Sequence, residues 1–226
     1  MNRLSKISSI LKNIAIRRNN FSINKQLLKK YLPPDPVIVE AGAHIGIDTI
    51  ELACVFPKGK IYAFEPVSHI YEKLLNNTKS YNNIHCQKLA LGDQNKMGEI
   101  FISSGLSDGS SSLLLPKDHL IYHPEVNFEI KEAVIISTLD SWCDDHGIHK
   151  VDLLWLDLQG MELSVLKSSP KILKTVKALF TEVNIVPLYE NSNLYPEYRE
   201  WLINQNFKIE AEFIFWQDAG NVLFIK

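Results

Sequence analysis

Residues 37–66, with the sequence VIVEAGAHIGIDTIELACVFPKGKIYAFEP, constrain the fold of this chain more than any other stretch. Two apolar runs, Val37–Val39 and Ile61–Phe64, have the composition of buried strands. Between them, apolar residues recur at helical spacing from Ile47 to Ala53. A strand, a glycine-containing turn, a helix and a second strand form the unit that holds a nucleoside-bearing cofactor at the edge of a parallel sheet.

The turn after the first run contains two glycines and follows an acid. Its pattern is E-x-G-x-x-x-G, from Glu40 through Gly42 to Gly46. Gly42 permits backbone angles closed to other residues, and the amide groups at Gly46, where the helix begins, favour an anionic group such as a carboxylate. Glu65, which ends the second run, has the position of an acid that accepts both hydroxyls of a ribose.

The spacing of these residues distinguishes between classes of cofactor. A dinucleotide site needs a third glycine, in the pattern G-x-G-x-x-G, and this chain lacks it. An acid at position 40 repels a pyrophosphate but suits the ammonium and sulfonium groups of S-adenosylmethionine. The sequence has no G-K-[ST], which excludes a P-loop. The alternative is a glycine turn without a cofactor, and the acids at both strand ends count against it.

The composition predicts one large domain with an N-terminal extension. The chain has 226 residues, 46% of them apolar, and no apolar run approaches the roughly 20 residues that span a bilayer. The three cysteines, Cys54, Cys86 and Cys143, are widely separated. They fit reduced, buried thiols in a cytoplasmic protein better than a disulfide framework or a zinc site.

Residues 1–34 form a basic extension that ends at Pro33-Pro34. They carry eight Lys or Arg and no acid, so residues 35–226 have a net charge of −10 in a chain of net charge −2. Four apolar residues share one face of a predicted helix: Leu4, Ile7, Leu11 and Ile14. One interpretation is peripheral contact of residues 1–30 with an anionic membrane or another polyanion. The alternatives are a helix that packs on the following domain and a targeting presequence.

The rest of the chain alternates strands with helices, which predicts a doubly wound, mostly parallel sheet in residues 35–226. Further strands are predicted at Asn83–Leu91, Val151–Leu156 and Val176–Val183, and a closing hairpin at Phe207–Trp216 and Asn221–Lys226. Further helices are predicted at Tyr71–Thr78, Leu139–Asp145, Met161–Lys167 and Tyr198–Asn206. Residues 97–137 break the alternation, and we expect them to form an inserted hairpin or lid over the sheet edge.

Six motifs resemble the FkbM-type S-adenosylmethionine-dependent methyltransferases, within the class I Rossmann-like methyltransferases. They are VIVEAGAHIG (37–46), YAFEP (62–66), LALGD (89–93), STLDSW (137–142), VDLLWLDLQGMELSVLKS (151–168) and TEVNIVPLYE (181–190). Many methyltransferases share the glycine turn, whereas STLDSW together with LDLQGMELSVLK is much more specific. The resemblance implies a seven-stranded α/β sheet with a C-terminal antiparallel hairpin. It also implies methyl transfer to an oxygen, usually of a sugar, glycolipid or polyketide-like molecule.

The resemblance further implies a set of cofactor contacts at the strand ends. The methionine end is expected at Glu40, Gly42 and Gly46. The ribose is expected at Glu65 and the adenine near Asp93. Neighbouring residues complete the predicted set of contacts: Ala43, His44, Thr49, Pro66, Leu91, Gly92 and Asp157.

Three residues are candidates for activating the acceptor hydroxyl, which is a poor nucleophile at neutral pH. Asp157 follows a buried strand at the carboxyl edge of the sheet, where ligands bind in open α/β folds. It is interpreted as a base or a metal ligand, with a cofactor contact or a helix cap as the alternatives. Glu182 ends the next strand. His44 lies beside the glycine turn, where it is equally consistent with a plain turn residue.

Other polar residues are predicted to lie outside the site. Glu162 is expected to be a solvated helix residue. His119 and His123 have the spacing of two metal ligands on one helix face, but no third ligand is evident. A surface loop is therefore expected there, and no metal site is predicted.

The leading hypothesis is an S-adenosylmethionine-dependent O-methyltransferase with a hydroxylated small molecule as its acceptor. The competing hypothesis is methylation of nucleic acid or protein, with the basic extension as a docking arm. The net charge of −10 on residues 35–226 repels a polyanion and disfavours nucleic acid. A non-catalytic module of the same fold is the third hypothesis, and the presence of Glu40, Gly42 and Glu65 counts against it.

Overall fold

The computed structural model describes residues 23–214 and 217–226. The apolar stripe predicted at Leu4, Ile7, Leu11 and Ile14 lies outside the described residues, as does the end of the strand predicted at Phe207–Trp216. Within the described residues, no helix is long and apolar enough to cross a membrane.

The strands form two sheets. In chain order they are β1 Val37–Ala41, β2 Lys60–Phe64, β3 Ile84–Gln87, β4 Ala90–Leu91, β5 Lys96–Gly105, β6 Val126–Ser137, β7 Leu153–Leu156, β8 Ala178–Asn184, β9 Lys208–Phe213 and β10 Ala219–Ile225. The main sheet has the order β3-β2-β1-β7-β8-β10-β9. Its first five strands are parallel, and β10 is antiparallel to both neighbours. The predicted seven-stranded sheet with a C-terminal antiparallel hairpin is confirmed.

Helices cover both faces of the main sheet. A 3-10 helix spans Lys25–Lys30, and the α-helices are α1 Ile47–Val55, α2 Ser68–Thr78, α3 His119–Tyr122, α4 Leu139–Asp145, α5 Glu162–Lys167, α6 Pro170–Leu173 and α7 Tyr195–Asn204. Side chains alternate along β7, so that Leu154 joins the core beneath α4 to α7 and Leu153 joins the core beneath α1. Burial on both faces explains why the central strand is nearly all apolar.

The chain leaves the main sheet after β3, and this corrects one prediction. A single strand was expected at Asn83–Leu91, but β3 ends at Gln87 and β4 begins at Ala90 in a second sheet. The second sheet has the order β4-β6-β5, with β5 and β6 antiparallel. The apolar pattern runs through both strands because β3 is partly buried and β4 is buried. Periodicity gives no signal that the hydrogen-bonding partners change.

Residues 23–34 pack against the domain. Leu28 and Leu32 are buried beside the core under α1, together with Ile23. Lys25 is 6% exposed, and its Nζ lies 2.6 Å from carboxylate oxygens of both Asp48 and Glu51. Its ammonium group also lies 4.7 Å from the centre of the Trp155 ring. This part of the extension therefore matches the interpretation of a segment that packs on the domain.

The LDSW motif has a structural role, because Asp140 caps the N-terminus of α6 and Ser169, which precedes α6, caps the N-terminus of α4. Asp140 accepts hydrogen bonds from the amides of Lys171 and Ile172, at 2.9 and 2.8 Å. In return, the Ser169 hydroxyl accepts from the amides of Leu139 and Asp140, at 3.1 and 3.4 Å. These bonds satisfy amides at the N-termini of α4 and α6 that have no partner within their own helices.

We expect Asp140→Ala to lower the free energy of unfolding by about 2 kcal/mol, because it leaves the amides of Lys171 and Ile172 without their acceptors. Asp140→Asn keeps one acceptor oxygen and is expected to cost less. Denaturant unfolding measures both, with Asp145→Ala as the control, since Asp145 is an exposed acid at the end of the same helix. Equal stability of Asp140→Ala and the control would contradict the capping role.

Candidate active site

The glycine turn lies where β1 meets β7. Gly42 has φ of +84°, and a Cβ built on it would lie 1.9 Å from the carbonyl oxygen of Asp157. The amide of Asp157 in turn donates to the carbonyl of Ala41, at 2.9 Å. Any side chain at position 42 would separate these two strand ends, so glycine is required by close backbone packing as well as by φ.

Glu65 is held at the end of β2 by two backbone amides. Its carboxylate accepts from the amide of Val67 at 2.9 Å and from that of His44 at 3.0 Å. The residue is 6% exposed, and this burial raises the pKa of the Glu65 carboxyl to about 7 despite the two hydrogen bonds. Each oxygen keeps a lone pair for a ligand hydroxyl.

A first cleft opens at this edge of the sheet between β1, β2, β4 and β7. Seven of the predicted cofactor contacts line it: Gly42, Ala43, His44, Glu65, Pro66, Leu91 and Asp157. Apolar side chains that the sequence did not identify complete its walls: Val67, Ile70, Ile100, Leu113 and Met161. The cleft thus combines a buried acid with an apolar slot.

Five other predicted contacts are not among the residues that line the first cleft. Glu40 and Thr49 are buried inside the fold, Gly92 is buried, and Asp93 is exposed. A Cβ on Gly46 would meet Leu74 and Thr78, so this glycine is required for packing against α2. The roles of these five residues as cofactor contacts stay predictions, and the geometry does not favour them.

A second cleft adjoins the first, and Asp157 lies at the boundary between them. Gln159 organises the acids there, because its Nε2 donates to Asp157 Oδ1 at 2.7 Å and to Glu182 Oε2 at 2.6 Å. The Tyr189 hydroxyl lies 2.7 Å from Gln159 Oε1 and 2.8 Å from the carbonyl oxygen of Ser110. The structure therefore brings two of the three catalytic candidates, Asp157 and Glu182, to one amide.

Glu182 is half-buried at the wall of the second cleft and sits close to other acids. Burial, followed by the proximity of Asp157 and Glu162, raises its pKa well above the ordinary value for a glutamate. These effects favour the protonated form of Glu182 beside Asp157. Neighbouring carboxyl groups that favour one shared proton also occur in acid–base catalysis.

Glu162 corrects a prediction, because it is buried and not solvated. Its two oxygens accept from the amides of Leu158 and Gly160, at 2.7 and 3.0 Å. Burial raises the pKa of its carboxyl to about 7. Glu162 thus fixes the loop that carries Gln159, which has φ of +53°.

His44, the third catalytic candidate, lies apart from this pair. It lines the first cleft, where its Nε2 lies 3.0 Å from Asp108 Oδ1 in the loop between β5 and β6. It is not among the residues that line the second cleft. Its position matches a cofactor contact or a turn residue better than a base for the acceptor.

A cluster in the second cleft was expected to be a surface loop. His119 is 3% exposed, and His123 Nε2 lies 2.5 Å from Asp218 Oδ2. The spacing of the two histidines was the only sign of this cluster in the sequence. Asp218 could not be assigned to it, because it lies 95 positions after His123 in the chain. Among the described residues, no group of three or more His, Cys, Asp or Glu has the arrangement of a metal site.

Cys54 is exposed, contrary to the expectation of buried thiols.

Comparison with known proteins identifies the family. A family model described as the methyltransferase FkbM domain matches residues 40–209. The chain belongs to the FkbM methyltransferase family. It is an S-adenosylmethionine-dependent methyltransferase, which confirms the predicted cofactor.

Two named methyltransferases are similar to this FkbM-family enzyme in sequence. The 2-O-methyltransferase NoeI of Sinorhizobium fredii is 28% identical over 177 residues, covering 76% of this chain and 73% of that protein. Methyltransferase sdnD of Sordaria araneosa is 25% identical over 211 residues, covering 82% of this chain and 78% of that protein.

Solved structures share the fold at lower sequence identity. Methyltransferase FkbM from Methylobacillus flagellatus has a TM-score of 0.56 and 13% identity, and the match covers 96% of this chain and 58% of that one. The Methanococcus jannaschii fibrillarin pre-rRNA processing protein has a TM-score of 0.52 and 18% identity, covering 92% of this chain and 75% of that one. At these identities the likeness shows the class I methyltransferase fold alone.

The residues of the first cleft fit S-adenosylmethionine. Glu65 offers a buried carboxylate for the ribose hydroxyls, and Leu91, Ile70 and Leu113 offer apolar surface for a flat base. Asp157 adds a carboxylate at the boundary of this cleft with the second cleft. A nucleoside with a cationic side chain matches this set of groups better than an anionic cofactor does.

The raised pKa of Glu65 predicts pH-dependent cofactor binding. A carboxyl group with a pKa of about 7 is roughly one-tenth ionised at pH 6 and mostly ionised at pH 8. Since only the ionised form accepts both ribose hydroxyls, the affinity for S-adenosylhomocysteine is expected to fall about tenfold from pH 8 to pH 6. Titration calorimetry at both pH values measures this.

Glu65→Gln is the matched control for this prediction. It should bind more weakly at pH 8 and lose most of the pH dependence, because the amide does not titrate. An equal slope with pH in the variant and the natural protein would show that another group is responsible.

Proposed function

We propose that this FkbM-family enzyme methylates a hydroxyl oxygen of a small molecule such as a sugar, a glycolipid or a polyketide-like compound. The position of Asp157 carries the proposal, because it borders both clefts and shares Gln159 with Glu182. The acceptor then occupies the second cleft, with its hydroxyl beside Asp157. The name of NoeI, a 2-O-methyltransferase, supports oxygen as the methylated atom.

In this proposal Asp157 acts as the general base. S-adenosylmethionine, when bound, supplies a methyl group on a positively charged sulfur. The Asp157 carboxylate accepts the proton of the acceptor hydroxyl as the oxygen–carbon bond forms and the carbon–sulfur bond breaks. Base catalysis of this kind typically contributes about 10²–10⁴-fold.

Gln159 and Tyr189 orient that base. The Gln159 amide holds the two carboxyl groups at fixed positions, and the Tyr189 hydroxyl holds the other end of the same amide. Such a chain restricts the rotation of Asp157, so that its carboxylate has a fixed orientation beside the second cleft before the reaction. Alignment of reacting groups supplies roughly 7–11 kcal/mol in favourable cases.

The competing acceptors, nucleic acid and protein, receive less support. Residues 35–226 carry a net charge of −10, and the second cleft is lined by more acids than bases. A polyanion would meet repulsion both at the surface and in the cleft. A non-catalytic role leaves the arrangement of Asp157, Gln159 and Glu182 without a purpose.

Asp157→Asn tests the catalytic role. We expect kcat to fall about 10²–10³-fold, because the amide cannot accept the hydroxyl proton, and S-adenosylhomocysteine affinity to change less than tenfold. Single-turnover methyl transfer and calorimetry measure the two effects, with the exposed acid variant Glu72→Gln as control. A variant with undiminished kcat would exclude Asp157 as the base.

Transfer of a tritiated methyl group onto a panel of sugars, glycolipids, polyketides, nucleotides, RNA and peptides tests the class of acceptor. Incorporation into an alkali-stable ether of a neutral small molecule is the expected result. Preferential labelling of RNA or a peptide would overturn the proposed class.

We also propose that the enzyme is cytoplasmic and that residues 1–22 contact a membrane surface. Five Lys or Arg and an apolar stripe in this stretch support the proposal. Pelleting with anionic vesicles tests it, with a protein lacking residues 1–22 as comparison. Equal pelleting of the two proteins would rule out the membrane role of this segment.

A further inference from the structure

The second cleft contains a polar cluster that the proposed reaction does not use. His119 lies in α3, His123 follows that helix, and Asp218 precedes β10. All three side chains line the second cleft, and none of them is among the residues that line the first cleft. The two imidazole rings have centres 4.9 Å apart, and His123 pairs with Asp218 at 2.5 Å.

The cluster is fixed to the main domain. The amide of His119 donates to the carbonyl of Leu188 at 3.1 Å, and the amide of Lys117 donates to the same carbonyl at 2.8 Å. The carbonyl of Asp218 accepts from the amide of Ile185 at 2.7 Å. These bonds join the inserted hairpin to the loop after β8. Backbone hydrogen bonds therefore hold both His119 and Asp218 in place.

His119 has a buried polar atom that nothing in the described chain satisfies. Its Nδ1 is buried and makes no hydrogen bond within the described residues. The surrounding rings are Phe128, edge-on at 5.0 Å, and Tyr189 at 5.5 Å. Burial, followed by the proximity of His123, lowers the pKa of the imidazole to about 4. A neutral imidazole offers one donor and one acceptor, which suits a hydroxyl group.

The charges of the second cleft define which molecules fit there. The acids that line it are Asp48, Glu51, Asp157, Glu182 and Asp218, whereas the lysine that lines it, Lys25, is paired with Asp48 and Glu51. A phosphate or carboxylate on the acceptor would therefore meet repulsion without a compensating cation. Ser110 adds a small polar group to this wall.

We propose that His119 and the His123–Asp218 pair bind a second hydroxyl of the acceptor, remote from the one that is methylated. The acceptor is then an uncharged polyol with at least two hydroxyl groups, as in a pyranoside. His119 and His123 determine specificity and take no part in the proton transfer at Asp157. This inference rests on the proposed function, since it assumes that the second cleft holds the acceptor.

NMR of the histidine rings tests whether a sugar binds at this cluster, and it requires no methyl transfer. Protein labelled with carbon-13 in its histidine rings is saturated with S-adenosylhomocysteine. Methyl α-glucopyranoside, methyl α-mannopyranoside, methyl α-galactopyranoside and N-acetylglucosamine are then added separately. At least one sugar should shift the His119 and His123 signals in a saturable way and leave the exposed His149 unchanged.

Three variants and one anionic ligand complete the experiment. His119→Phe preserves an aromatic ring at this position. It should raise the Kd for the sugar at least fivefold, measured from the chemical shift of the His123 ring. His119→Asn restores a polar group near the Nδ1 position and should recover most of the affinity, which a purely structural role would not explain. His149→Gln should bind as the natural protein does, and glucose 6-phosphate should not shift the signals.

The outcomes separate this inference from the proposed function. Absence of a shift at His119 with all four sugars would overturn the second-hydroxyl site, even if the tritium assay finds a methylated acceptor. Stronger binding of glucose 6-phosphate than of the neutral sugars would also overturn it. Failure of the proposed function would appear separately, as absence of methyl transfer to every hydroxylated compound in the panel.

Discussion

The close contact between the ends of β1 and β7 is the constraint on which the site depends. A Cβ at position 42 would lie 1.9 Å from the Asp157 carbonyl oxygen, so the two strand ends approach as closely as backbone atoms allow. That contact directs the glycine turn toward the first cleft and places Asp157 at the boundary with the second. A single backbone approach thus positions both clefts, in which the cofactor and the acceptor are proposed to bind.

Carboxyl groups with raised pKa values are the second feature of the site. Glu65, Glu162 and Glu182 all have raised pKa values, with burial as the main cause in each. Their oxygens are compensated by backbone amides or by Gln159, since an uncompensated buried charge would be costly. Two of these acids, Glu65 and Glu162, have pKa values of about 7, so they change protonation near neutral pH.

The inserted hairpin and the N-terminal segment form the walls of the second cleft. The Ser112 hydroxyl donates to the carbonyl of Gln159 at 2.8 Å, and the Tyr189 hydroxyl lies 2.8 Å from the carbonyl oxygen of Ser110. The hairpin is therefore bonded to the loop that carries Gln159 and to the segment after β8. Lys25 closes the opposite wall through Asp48 and Glu51. These segments lie outside the strand–turn–helix core of the fold, which agrees with a role in choosing the acceptor.

The sequence by itself determined the class of fold, the cofactor and the enzyme family. Those features depend on short-range patterns: an apolar run, a glycine where φ is positive, and an acid at a strand end. Glu65 and Asp157 were identified because each directly follows the strand that positions it. The same reasoning explains why Gly42, Ala43 and His44, which follow the first strand, line the first cleft.

Tertiary structure decided which polar residues meet. Gln159 bridges Asp157 and Glu182, and Asp218 pairs with His123 across 95 positions of sequence. Local patterns carry no information about such contacts, because they depend on how strands are ordered in the sheet. Burial likewise reversed the expectations for Glu162 and His119, since the solvent exposure of a side chain is set by what packs over it.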